Sequence, residues 1–296
     1  MPQGYTLRQL YDWCRVPAED LPGHPGLKVG FRLVADSAEM GEAMARELID
    51  AVAAAAAAGR PCRAIVPCGP MAWYAPFARL VNAERVSLRG LHVWHMDECL
   101  DWQGRLLPAG HPYNFRTTME RVFYSPIDPA LAVPAAQRHW PTPATIERMA
   151  DQLAAAPADI TLGGWGQDGH VAYNQARREP YVAPDVEQLA ASRGRVQVNN
   201  PDTILALAQR TFGAAYQFVP PMSVTLGMAE CLVARKVRLF SDTGAWKQTA
   251  LRVALFGPVT AEYPMTALQR HADALITATA ATADHPIAHH PEWELL

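Results

Sequence analysis

From Lys28 onward, short apolar runs alternate with amphipathic helical text, and no other feature limits the possible folds so strongly. "KVGFRLVAD" predicts a strand, and "SAEMGEAMARELIDAVAAAAAAG" predicts a long helix with Ser37 as its N-cap and a glycine stop. "CRAIVP", a Gly-Pro turn and the helix "MAWYAPFARLVNA" complete a βαβα unit. "RGLHVWHMDE" predicts the next strand, followed by helices at "NFRTTMERVF" and "TIERMADQLAAAP" and a strand at "ADITLGG". Further on, "KVRLFS" and "ADALITAT" are strands with the helix "WKQTALRVALFG" between them, whereas "ILALAQ" fits either element. Short apolar strands separated by helices imply an α/β fold with a doubly wound, mostly parallel sheet covered by helices on both faces. Ligands of such a sheet gather at the carboxyl ends of its strands.

The first 27 residues stand apart: "TLRQLYDWC" is helical in pattern, and "VPAEDLPGHPG" is rich in proline and glycine. We take 1–27 as an N-terminal arm and 28–296 as one α/β domain, since no repeat or low-complexity linker divides the rest. A chain of 296 residues, half of them hydrophobic, can bury a sizeable core. Its formal charge of -3, without a dense Lys/Arg run, argues against nucleic acid or an anionic membrane as the main partner and favours a small molecule. Five scattered cysteines without C-x-x-C spacing, and a start lacking a basic-then-apolar signal pattern, predict a reduced, cytoplasmic protein. The longest apolar run, Ala51 to Gly59, is far too short for a membrane span.

The stretch "LGGWGQDGHVAYNQ" contains G-x-G-x-x-G at Gly164, Gly166 and Gly169. A dinucleotide loop opens an apolar helix on a pyrophosphate, yet here Asp168 and His170 flank the last glycine. Two titratable groups sit where a bare backbone should be. Two other loops also follow predicted strands and carry polar residues, "PCGP" at Pro67–Pro70 and "HMDE" at His95–Glu98. Their convergence would set a carboxylate and an imidazole on neighbouring strand ends, suited to acid/base chemistry.

"WHMDECL", "GWGQDGHVAYNQ" and "TALQRH" resemble the matching segments of glucosamine-6-phosphate deaminases, whose modified Rossmann-like sheet is shared with 6-phosphogluconolactonases. The resemblance runs from about Val29 to Thr279 in the same order, and the aromatic-Asn pair after Asp-Gly-His favours the deaminase branch. It implies Asp97 as the base that moves a proton between C2 and C1 of an open-chain amino sugar. His170 would be the ring-opening acid/base and Asp168 the carboxylate that orients it. Arg210 and Lys247 stand where the family keeps its phosphate-binding cations, with Cys68, Gly69, Glu98 and Gly166 as further substrate contacts. The implied ligand is a sugar phosphate, with no cofactor and no metal; a homo-oligomer is left open.

Two departures matter. The family's phosphate loop has glycines followed by a hydroxyl residue, whereas "VPCGPMAWY" is about two residues shorter and lacks the hydroxyl, so fewer N–H groups can form an anion nest. In the relay, the glutamate that usually follows the aromatic-Asn pair is Gln175, which cannot stabilise an imidazolium as a carboxylate does unless Asp168 or Glu179 compensates. A third difference concerns regulation: "ASRGRVQV" keeps Arg193 and Arg195 but has Gln197 in place of the lysine, so allosteric control is not expected. His92, His95 and Asp97 are no metal set, because strand residues three apart face opposite sides. The competing functions are lactone hydrolysis with His170 as base, isomerisation without loss of nitrogen, and a sugar-phosphate sensor without turnover.

Overall fold

The computed structural model describes residues 4–176, 185–244 and 246–296. In chain order the elements begin with α1 (Leu7–Cys14), β1 (Gly30–Val34), α2 (Ser37–Ala57), β2 (Cys62–Val66) and α3 (Tyr74–Ala83). Next come β3 (Leu91–His95), β4 (Asp97–Leu100), α4 (Phe115–Met119), β5 (Arg138–His139), α5 (Ile146–Ala155) and β6 (Ile160–Gly163). The last part holds α6 (Val186–Ala190), β7 (Arg195–Val198), α7 (Pro201–Thr211), β8 (Met222–Thr225), α8 (Met228–Leu232), β9 (Lys236–Ser241), α9 (Gln248–Phe256) and β10 (Ala274–Thr279).

Seven strands form one parallel sheet in the order β1-β10-β9-β6-β2-β3-β5. Both of its faces are covered. Met40, Met44 and Leu48 of α2 pack with Phe77 of α3 on one side, while Leu153 of α5, Cys231 of α8 and Leu251 of α9 pack on the other. This is the doubly wound α/β architecture. From β2 the chain continues to β3 and β5 in one direction, and from β6 the sheet continues to β9 and β10 in the other. The switch between β2 and β6 therefore opens a crevice at the carboxyl ends of these two strands, where an open α/β sheet binds its ligand.

"RGLHVWHMDE" is not one strand. It breaks at Met96, whose N–H donates to Val66 O (3.0 Å) in the parallel sheet while its C=O accepts from Leu226 N (2.9 Å). Asp97 then opens β4, the edge of a three-stranded antiparallel sheet β4-β8-β7 in which it lies opposite Thr225. One residue joins the two sheets, and Asp97 is the first residue past the joint. The other differences are local. Asp36, not Ser37, caps α2, with Oδ1 accepting from Ala38 N and Glu39 N at 2.9 Å each, and "ILALAQ" is helix, within α7. α2 ends as the sequence suggests, at Gly59 with φ +67°.

The N-terminal residues join the same packing. Ala18 and Leu21 belong to the core around α9, and Arg252, fully buried on α9, donates from Nη2 to Val16 O (2.9 Å) and Ala283 O (2.8 Å). No described helix is long and apolar enough to cross a membrane.

Candidate active site

A cavity of about 650 Å³ occupies the crevice. The loops after β2, β3 and β6 all reach it, contributing among others Cys68, Gly69, Asp97, Gly166 and His170. α7 adds Arg210, and the segment after β9 adds Asp242 and Lys247. Glu98, Asp168 and Gln175 do not line it.

Asp97 is half-buried at the cavity wall, and its carboxylate makes no hydrogen bond or ion pair among the described residues. Burial, then the neighbouring Glu98 charge, push its carboxyl up to about 7, against the attraction of His170. A carboxylate that titrates near neutrality and has no protein partner is available to a substrate proton.

Glu98 faces the other way. Its carboxylate accepts from Phe115 N and Arg116 N, both at 2.8 Å, and from Cys99 N at 2.9 Å, closing the N-terminus of α4. The residue expected to touch substrate is thus a structural cap. Alternation along β4 explains this, because successive side chains point to opposite faces.

The glycine pattern serves the turn itself. Gly166 N donates to His170 O (3.1 Å) and Gly169 N to Gly166 O (3.0 Å), so neither N–H is open to an anion. Gly169 has φ +71°. At Gly166 a Cβ would lie 2.1 Å from His170 Cε1, so the histidine ring rests directly on this backbone and any side chain would displace it. His170 Nδ1 donates to Asp168 Oδ1 at 2.6 Å, leaving Nε2 as the free ring nitrogen. Burial alone would raise the Asp168 carboxyl, but the charge and hydrogen bonds of His170 hold it below the usual carboxylate range. The ring also stacks on Tyr173, with centroids 5.7 Å apart.

Gln175 stands behind this pair, buried. Asn200 N donates to its Oε1 at 2.8 Å, which fixes the amide orientation, and its Nε2 then donates to Thr203 Oγ1 at 2.5 Å. The same Nε2 is 3.1 Å from His170 Nδ1. Where a glutamate would accept a proton, this chain presents a donor. Glu179, the other candidate for that task, lies outside the described residues.

Arg210 and Lys247 both line the cavity and lie close enough for their charges to act on each other. The Arg210 guanidinium lies 5.1 Å from the Trp246 ring centroid and Lys247 Nζ 5.6 Å from that of Trp165. Burial, followed by the Arg210 charge, lowers Lys247 to about 7, with Asp242 acting in the opposite sense. Two cations so placed gain from a shared anion. Cys68, half-buried, keeps its thiol well above the usual range, mainly through burial and then through Asp97 and Glu98, so it is a packing group in the wall.

Arg193 and Arg195 do not converge on an open pocket. Arg195 donates to Asn174 Oδ1 and Gln197 Oε1 at 2.8 Å each, and Arg193 Nη2 pairs with Asp151 at 2.7 Å. Gln197 Nε2 donates in turn to Tyr173 O, so this strand braces the segment that follows His170. Among the described residues no His/Cys/Asp/Glu cluster could hold a metal ion.

Several residues of this neighbourhood escaped sequence reasoning. Asn200 and Thr203, which orient Gln175, open a helix whose own identity was ambiguous. Asp242 had a usable signal, since it follows the apolar strand "KVRLFS" as Asp97 follows "LHVWH".

The chain is 32% identical over 217 residues to the glucosamine-6-phosphate deaminase of Shewanella loihica, covering 72% of this chain and 74% of that protein. The chain belongs to the glucosamine-6-phosphate deaminase family. The deaminase of Aliivibrio fischeri is 30% identical over 227 residues, 74% of this chain and 78% of that one, and the deaminase of Streptomyces coelicolor 28% over 239 residues, 76% and 84%. No family model matches the sequence. Among solved structures, a monomeric glucosamine-6-phosphate deaminase superposes with a TM-score of 0.71 at 21% identity, covering 86% of this chain and 99% of that one. The 6-phosphogluconolactonase of Thermotoga maritima gives 0.59 at 14%, covering 84% and 98%. Deaminases and lactonases share this fold, so the branch rests on sequence identity.

Proposed function

We propose that this protein is an amino-sugar-phosphate deaminase that converts a 2-amino-2-deoxy aldose phosphate and water to a ketose phosphate and ammonia. The carrying observation is that one cavity is lined by the unpaired Asp97 carboxylate, by the Asp168-clamped His170 whose charge acts on it, and by Arg210 and Lys247.

The phosphate sits against Arg210 and Lys247, which fixes the sugar with its reacting end toward His170 and Asp97. Nε2 of His170 exchanges the proton of the anomeric hydroxyl and ring oxygen, and the ring opens to the aldehyde. Asp97 removes the proton from C2, giving an enolamine, and returns it to C1, so that C2 becomes an imine carbon. Water adds to C2, the C–N bond breaks, and ammonia leaves with the ketose formed. Asp97 is regenerated as the carboxylate, consistent with a group titrating near 7.

Gln175 places an amide N–H, not a carboxylate, behind the imidazole. Among the described residues Asp168 alone then stabilises the imidazolium, so ring opening is the slower half of the reaction. We place the enzyme in the cytoplasm, a location supported by its five unpaired thiols, and assign residues 28–296 to one catalytic domain. The test is incubation with 2-amino-sugar phosphates, aldose phosphates and phosphosugar lactones while ammonia, ketose and acid are followed. Stoichiometric ammonia and ketose from an amino-sugar phosphate support the reading; acid from a lactone without ammonia from any amino sugar overturns it.

A further inference from the structure

The loop after β2 has little to offer an anion. Of Pro67, Cys68, Gly69, Pro70 and Met71, none bears a hydroxyl and the two prolines have no N–H. What stands beside it is α4. Cys68 Sγ lies 3.9 Å from Phe115 O, the Tyr74 hydroxyl lies 3.0 Å from Met119 Sδ, and the ring of Phe123, in the turn that continues α4, stacks on Phe77 at 5.0 Å. Phe115, Thr118 and Arg121 follow one another at intervals of three, which on a helix puts them on one side, and all three line the cavity.

Thr118 and Arg121 differ from their neighbours in having no partner. Neither the Thr118 hydroxyl nor the Arg121 guanidinium makes a side-chain hydrogen bond or ion pair among the described residues. A carboxylate is at hand in the preceding residue, Glu120, but it pairs with Arg138 at 2.8 Å instead. An exposed arginine on a helix is ordinarily just solvated. Here it opens onto the substrate cavity, together with a free hydroxyl one turn away, beside the loop that lacks a hydroxyl and, at its two prolines, an N–H donor.

We propose that Thr118 and Arg121 form the second half of the phosphate grip, supplying from α4 and the turn after it what the shortened loop no longer supplies. Arg210 and Lys247 form the first half. A phosphate monoester dianion held between them accepts from the planar guanidinium fork on one side and from the cation pair on the other. This rests on the reading of the substrate as a phosphorylated sugar and adds the residues that hold it.

The probe is inorganic phosphate, titrated calorimetrically into the full-length protein and its Arg121→Gln, Thr118→Val and Arg210→Gln variants, with KM and kcat for glucosamine 6-phosphate measured alongside. R121Q should weaken phosphate binding about tenfold and raise KM by a similar factor, with kcat nearly unchanged, and T118V should weaken binding about threefold. Arg121→Lys should recover part of the loss, because the charge returns without the fork. If R121Q and T118V bind phosphate like the parent while R210Q does not, or if the parent binds no phosphate, the grip is overturned. If the parent releases no ammonia from the amino-sugar phosphate while R121Q still weakens phosphate binding, the deaminase reading fails and the grip stands.

Discussion

The two ends of the cavity are built on opposite principles. At the imidazole end the polar groups are held by the protein: Asp168 by His170, Gln175 by Asn200 and Thr203, and the histidine ring by the bare backbone of Gly166. At the anion end Lys247 and Arg210 rest over aromatic rings, and no carboxylate is paired with either among the described residues. Chemistry that moves protons needs groups whose orientation is set before the substrate arrives. Binding gains most where charges are left to be neutralised by the ligand. Asp97 belongs to neither end, being unpaired like the cations but reactive like the histidine, and it lies at the joint between the two sheets.

The comparison is broken most severely at Asp97. Asp97→Asn should lower kcat by roughly 10⁴-fold, the upper end for a positioned base, while leaving phosphate binding intact. The same variant should report on stability. The carboxyl is raised from 3.8 to about 7, so folding favours its protonated form; that contribution is complete below about pH 4 and is lost as the pH rises through 7. Asparagine never ionises, so D97N should melt higher than the parent at pH 8 and alike in acid.

Asp168→Asn attacks the held end. Without the carboxylate the imidazole loses both its tautomer and its counter-charge, and kcat for a cyclic substrate should fall by roughly 10²–10³-fold with little change in KM. Lys247→Ala attacks the other end and should do the reverse, raising KM for the phosphorylated sugar by about 1–3 kcal/mol in binding energy at nearly constant kcat. If the two variants each changed kcat and KM together, the division of labour between the ends would be lost.

A pH series separates the ends without mutation. Turnover should rise as the pH passes about 7 and Asp97 ionises, whereas affinity for the anion should fall as Lys247, lowered to about 7 in the empty site, gives up its proton. The profile of kcat/KM is therefore a bell, and K247A should remove its alkaline limb. The smallest change is at Gln175. In Gln175→Glu the amide of Asn200 can still donate to the new carboxylate, and the Thr203 hydroxyl can turn to donate as well, so the substitution is accommodated. It should raise turnover of a cyclic amino-sugar phosphate by roughly a few-fold, the scale of one neutral-to-charged hydrogen bond. A loss of activity with every sugar would mean that the amide is fitted to a different substrate.

The parallel sheet was legible because its strands are continuous apolar runs, a pattern that only burial on both faces requires. The joint at Met96 was not, since "LHVWHMDECL" keeps a strand-like pattern across the point where its pairing partner changes from β2 to β8. Asp97, Asp168 and His170 stood out because each follows a strand, which is a local property. Glu98, given by the resemblance as a substrate contact, is instead turned by the pleat of β4 to the N-terminus of α4. The partners of Gln175 and the free face of Thr118 and Arg121 are set by how distant helices dock, and no residue pattern encodes that by itself.

The central claim is that one carboxylate carries a proton from C2 to C1 and nitrogen then leaves. Glucosamine 6-phosphate deuterated at C2, followed by NMR together with ammonia release, tests it directly. The account predicts one ammonia per ketose, with part of the deuterium found at C1 of the product, and neither event in D97N. Ketose formed without ammonia, or ammonia released by D97N at the parent's rate, would contradict it.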